Sequence, residues 1–80
     1  MMANKDVAIQ YTIFSKNIRY YRKRKGYTQE KLAEKAEMSI SYIKQIESCN
    51  EFKNLTLTAM LKLSKALDVP INKLFYEQKN

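Results

Sequence analysis

The sequence predicts an all-α domain of five short helices, and three observations carry that expectation. Glycine and proline occur once each, at Gly26 and Pro70, while good helix formers dominate the chain between them. Apolar residues recur at spacings of three and four, the period of an amphipathic helix. Hydroxyl residues stand just before several of these apolar runs, where a helix needs an N-cap.

Taken in order, Val7, Tyr11, Phe14, Ile18 and Tyr21 are spaced four, three, four and three apart and form one stripe of a first helix. Residues 1–12 are an N-terminal extension, either an arm or an early start of this helix that Asp6 would cap. Gly26 supplies a left-handed stop, behind Lys23, Arg24 and Lys25, whose charges suit the negative end of the helix dipole. In the second helix Thr28 is the N-cap, Glu30 lies in the first turn, and Leu32, Ala33 and Ala36 make a narrow apolar face ending by Glu37-Met38-Ser39. Ser39 caps a third helix in which Ile43 and Ile46 share one face. At about 100° per residue, Ser41, Lys44, Gln45 and Ser48 fall on the opposite side, and Ile40 begins the first turn. After a polar loop from Ser48 to Asn54, Thr56 or Thr58 caps a fourth helix carrying Leu57, Met60, Leu61, Leu63 and Leu67. Pro70 suits the first turn of a fifth helix with Ile71, Leu74 and Phe75, and residues 77–80 are a loose tail. The domain thus spans residues 13–76.

Eighty residues make one small domain, which buries only about 60% of the surface its unfolded chain exposes. With one cysteine, Cys49, and no histidine, neither an internal disulfide nor the usual zinc ligand sets can be assembled. The same lack removes Ser-His and Cys-His pairs, and one glycine cannot build a phosphate-cradling loop. The chain is therefore expected to be no enzyme and to carry no cofactor. Its partner is expected to be a polyanion, because the net charge is +7 with a pI near 9.6. No apolar stretch approaches the roughly 18–20 residues of a membrane span, and Met1 to Asp6 open no long apolar signal region, so a cytoplasmic protein is expected. Binding a membrane surface with helix one would use the stripe that the core needs. Nucleic acid is the better partner.

The second helix ends and the third begins within about three residues, the short turn of a helix-turn-helix. Ile18-Arg19 with Arg22, Gly26-Tyr27-Thr28-Gln29-Glu30 with Leu32-Ala33, Met38-Ser39, Ile43 with Ile46-Glu47, and Leu63 to Val69 followed by Leu74-Phe75 occur in order. Together, over about Phe14 to Phe75, they resemble the Xre family, the Cro/CI-type helix-turn-helix regulators. Ser-Tyr-Ile before Gln-Ile-Glu, and Asn-Leu-Thr-Leu later, resemble restriction-modification controller proteins. The resemblance implies a lambda-repressor-like domain that binds double-stranded DNA. Two positions depart from the family pattern: Glu37 and Cys49 stand where glycine is common. A left-handed Glu37 would be strained.

The resemblance makes helix three the recognition helix and places Ile40, Ser41, Lys44 and Gln45 at base-facing positions. Their chemistry suits base readout, since Gln45 can pair bidentately with adenine, Lys44 can donate to guanine, and Ile40 can pack on a thymine methyl. Thr28 and Gln29, at a helix start with its unpaired amides, are candidate phosphate ligands, together with Tyr42 and the loop residues Asn50, Lys53 and Asn54. Arg22 and Glu47 match the family's interior ion pair. Ile71, Leu74, Phe75 and Tyr76 are candidates for a homodimer interface, and no small-molecule effector is expected. The function implied is a sequence-specific transcriptional regulator, a repressor or autoregulatory switch on a palindromic operator. The alternative is an antitoxin-like or bridging module that uses the same fold to bind protein.

Overall fold

In a computed structural model, which describes residues 4–48 and 55–78, the chain forms four α-helices and a closing 3₁₀ helix: α1 Asn4–Arg24, α2 Gln29–Ala36, α3 Ile40–Glu47, α4 Leu57–Leu67 and the 3₁₀ helix Ile71–Phe75. The fifth helix expected from sequence is thus a tighter 3₁₀ turn. Pro70 ends one run of backbone donors and only five residues follow in the element, too few for a stable α-helix.

Helix starts are set by one device used three times. Thr28 Oγ1 accepts from the Lys31 amide at 3.0 Å, Ser39 Oγ from Tyr42 at 3.1 Å, and Thr56 Oγ1 from Ala59 at 3.1 Å. Each satisfies a first-turn donor that the helix itself cannot. Helix ends use a second repeated device. After α1, α2 and α4 the chain turns through a left-handed residue, Gly26 (φ 74°), Glu37 (φ 57°) and Asp68 (φ 57°). The following amides reach back to the last turn, as Met38 does to Ala33 and Val69 to Ser64. Glycine serves at only the first, so Glu37 and Asp68 hold a conformation that costs an L-residue roughly 1–2 kcal/mol.

The core joins every element: Phe14 and Ile18 of α1, Leu32, Ala33 and Ala36 of α2, Ile43 and Ile46 of α3, Leu63 and Leu67 of α4, and Leu74. One expectation is corrected here and another is refined. Of the apolar residues that α4 was expected to carry, Leu63 and Leu67 are buried with Ala59, whereas Leu57 and Leu61 are 62% and 51% exposed. Leu74, placed in a dimer interface, is fully buried in the monomer and presents no surface to a second copy. A buried polar residue, Asn17, closes the structure: its Nδ2 donates to the carbonyls of Leu74 and Tyr76 at 2.8 Å each. One side chain therefore pins the end of the 3₁₀ helix to α1. Among the described residues, no helix is long and apolar enough to cross a membrane.

Candidate nucleic-acid interface

α2 and α3 are joined through Glu37, Met38 and Ser39, and the left-handed Glu37 makes the sharp turn between them. Because Ile43 and Ile46 are drawn into the core, the other side of α3 is forced outward. Ser41, Lys44, Gln45 and Ser48 are exposed there, a short row of hydrogen-bonding groups on a fixed helix. Ile40 and Tyr42 are half-buried and pack against the core, so each offers only part of its side chain to a ligand.

The position of α3 is fixed by a charged clamp. Arg22 Nε and Nη2 donate to the two oxygens of Glu47 at 2.6 and 3.0 Å, a bidentate pair with both residues buried. Arg22 Nη1 donates to the Tyr27 carbonyl at 2.8 Å. Gln29 Nε2 adds a third hydrogen bond to Glu47, at 3.1 Å to Oε1. The end of α1, the start of α2 and the end of α3 thus meet on one carboxylate. Such a pair fixes orientation more than it adds stability, since desolvation offsets much of the Coulomb attraction.

Around this clamp lies an open concavity of about 510 Å³ lined by Arg19, Lys23, Gln29, Lys44 and Ser48 as well as the ion pair. Exposed Arg19 and Lys23 line it from α1 and exposed Lys44 from α3, and Gln29 of the first turn of α2 lines it as well. An anion there would meet the positive charge of two helices beside the first turn of α2, the positive end of its dipole. The sequence places Lys23 among the cations that suit the end of α1 and Arg19 only within the family-like motif. The signal that places them is spacing: they are one turn apart and flank Arg22, which the clamp ties toward α3.

The other candidates fall as follows. Thr28 is exposed and its hydroxyl is engaged as the α2 cap. Asn50, Lys53 and Asn54, with Cys49, lie outside the described residues. Ile71 and Phe75 are half-buried, Phe75 with its ring 5.3 Å from that of Phe14, and Tyr76 is 60% exposed.

Comparison with known proteins adds relatives to this geometry. The helix-turn-helix family model matches residues 18–74. The HTH-type transcriptional regulator SinR of Bacillus licheniformis is 38% identical over 66 residues, covering 82% of this chain but 59% of that protein, so the chain spans under two thirds of its length. Among solved structures, the restriction-modification controller protein C.AhdI from Aeromonas hydrophila superposes with a TM-score of 0.74 at 34% identity, covering 81% of this chain and 96% of the other. SinR, the master regulator for biofilm formation, in complex with DNA, superposes with a TM-score of 0.72 at 38% identity, covering 79% and 98%.

Proposed function

Because this chain belongs to the helix-turn-helix family, among its Cro/CI-type regulators, we propose that it is a sequence-specific DNA-binding transcriptional regulator. α3 enters the major groove and Ser41, Lys44 and Gln45 meet base edges, with the exposed edge of Ile40 beside them. The backbone is held at the basic concavity, where Arg19, Lys23 and the start of α2 take phosphates, joined by Thr28, Gln29 and Tyr42 and by the loop residues Asn50, Lys53 and Asn54. Two copies bind a pseudo-palindromic operator, and Ile71, Phe75 and Tyr76 contribute to the contact between them. Regulation then follows from occupancy of a promoter, with no catalysis.

The observation that carries this reading is the row of exposed polar side chains on α3 beside a concavity lined by three exposed cations. SinR, similar over most of this chain, is known in complex with DNA. A mobility-shift assay tests it with DNA from upstream of the protein's own gene and a scrambled duplex of equal length. The expected result is a preference of about 10³-fold or more for the native duplex at physiological salt. Equal affinity for both would leave only non-specific binding and sink the regulator reading.

A further inference from the structure

The two ends of α2 meet different neighbours. Gln29, in its first turn, lines the concavity beside α1 and α3, whereas Lys35 and Ala36, in its last turn, line a separate cleft of about 370 Å³ against α4. Lys62, Lys65 and Ala66 form the α4 side of this cleft, and Tyr27 and Glu37 complete it. The two hollows share no lining residue. At about 1.5 Å per residue, Lys35 stands roughly 9 Å along α2 from Gln29.

The cleft combines unneutralised charge with a small apolar surface. Lys35, Lys62 and Lys65 are exposed, Ala36 is buried, and Tyr27 and Ala66 are half-buried. Lys62 and Lys65 are three apart and so share one face of α4. Lys35 and Lys65 lie in the last turns of their helices, where a cation suits the dipole. Lys62 stands mid-helix and answers to no helix end. Against these three cations the described lining sets one carboxylate, the exposed Glu37, and among the described residues none of the four charges is ion-paired. The excess is positive and open to a ligand.

We propose that this cleft docks an acidic peptide segment of a partner protein, at the end of α2 away from the concavity that holds DNA. Charge complementarity names the occupant. Carboxylates spaced along an extended segment meet the ammonium groups of Lys35, Lys62 and Lys65, and an apolar side chain between them rests on Ala36, Ala66 and the Tyr27 ring. The kind of cation points the same way: the concavity includes arginines, whose planar fork grips phosphate oxygens in pairs, whereas the cleft has lysines alone, which act as point charges. Because no residue is common to the two hollows, peptide and DNA bind at once, and the proposal adds a partner to the DNA-binding reading without depending on it.

Fluorescence anisotropy of the full chain without DNA tests it, with a labelled peptide of repeated Asp-Glu-Leu and its uncharged Asn-Gln-Leu counterpart. An exposed lysine–carboxylate contact contributes up to about fivefold in affinity, so Lys62→Glu with Lys65→Glu weakens the acidic peptide about tenfold or more, with the helical circular dichroism retained. Arg19→Glu with Lys23→Glu makes the same change in net charge at the concavity, and salt screening keeps peptide affinity within about twofold of the wild type. In mobility shifts the pattern inverts, and the concavity pair weakens the upstream duplex far more than the cleft pair does. Equal losses of peptide affinity in the two double variants would leave only general attraction to a basic protein and overturn the proposal. Equal binding of the two peptides, or no binding of the acidic one, overturns it too, and a greater loss of duplex in the cleft pair would make the cleft a DNA contact instead. A concavity pair that keeps the duplex strikes the DNA reading alone.

Discussion

Glu47 is the side chain on which the interface converges, accepting hydrogen bonds from Arg22 twice and from Gln29 once. Removing it leaves the buried Arg22 guanidinium without its counter-charge, so Glu47→Ala should cost about 3–5 kcal/mol of folding stability, read as a lower midpoint in urea unfolding. An unchanged midpoint would mean the pair is replaced by solvent. Gln45 and Gln29 are expected to behave differently from one another. Gln45 is exposed on α3 away from the core, so Gln45→Ala should keep the fold yet lose about 1–3 kcal/mol at the operator and almost nothing on random DNA. Gln29→Ala should weaken both DNAs together, because a phosphate carries no sequence. Parallel titrations of each variant on the two duplexes check this, and equal losses for Gln45→Ala would remove it from base readout.

At the scale of elements, the left-handed helix ends invite a direct measurement. Gly26 and Glu37 occupy the same kind of turn with φ of 74° and 57°. Nothing lies within 4 Å of a Cβ built on Gly26, so Gly26→Ala should lose stability through backbone strain alone, about 1 kcal/mol. Glu37→Gly should gain a similar amount, which for a domain this size raises Tm by about 4–8 °C. A Glu37→Gly variant that melts lower would show that the turn draws support from the glutamate side chain.

These elements also show what a sequence can and cannot disclose. Thr28 and Ser39 were legible because capping is local: an oxygen at one position meets an amide three residues on. Thr56 resolved the remaining ambiguity with Thr58 by making that bond. The left-handed Asp68 had no signal, since neither glycine nor asparagine marks it. That Leu57 and Leu61 stay exposed while Leu63 and Leu67 are buried was not legible, because an apolar count on α4 does not say which neighbours the helix will meet. Asn17 was invisible for the same reason: its partners are the carbonyls of Leu74 and Tyr76, far along the chain. Within the candidate site, the outward row on α3 followed from the placement of Ile43 and Ile46, whereas the Gln29–Glu47 bond and the grouping of Arg19, Lys23 and Lys44 arise only where three helices converge.

At the scale of the whole molecule, surface chemistry divides by face. The exposed large apolar side chains among the described residues, Val7, Ile9, Leu57, Leu61 and Tyr76, come from α1, α4 and the end of the 3₁₀ helix, and none from α2 or α3. Where α2 and α3 meet the end of α1, the exposed Arg19, Lys23 and Lys44 line the concavity instead. With roughly four to six phosphate contacts per copy of the proposed dimer, the expected slope of log affinity on log salt is about −7 to −11. A slope near zero in filter-binding titrations would rule out a backbone held by charge.

The central claim is that paired copies present α3 to successive turns of one DNA face, and hydroxyl-radical footprinting of the upstream duplex examines it most directly. Two protected half-sites centred about 10 base pairs apart, roughly 34 Å along the helix, are the expected pattern, with Gln45→Ala abolishing both at a concentration where the wild type protects them fully. Protection of a single half-site, or uniform protection with no spacing, would contradict the account.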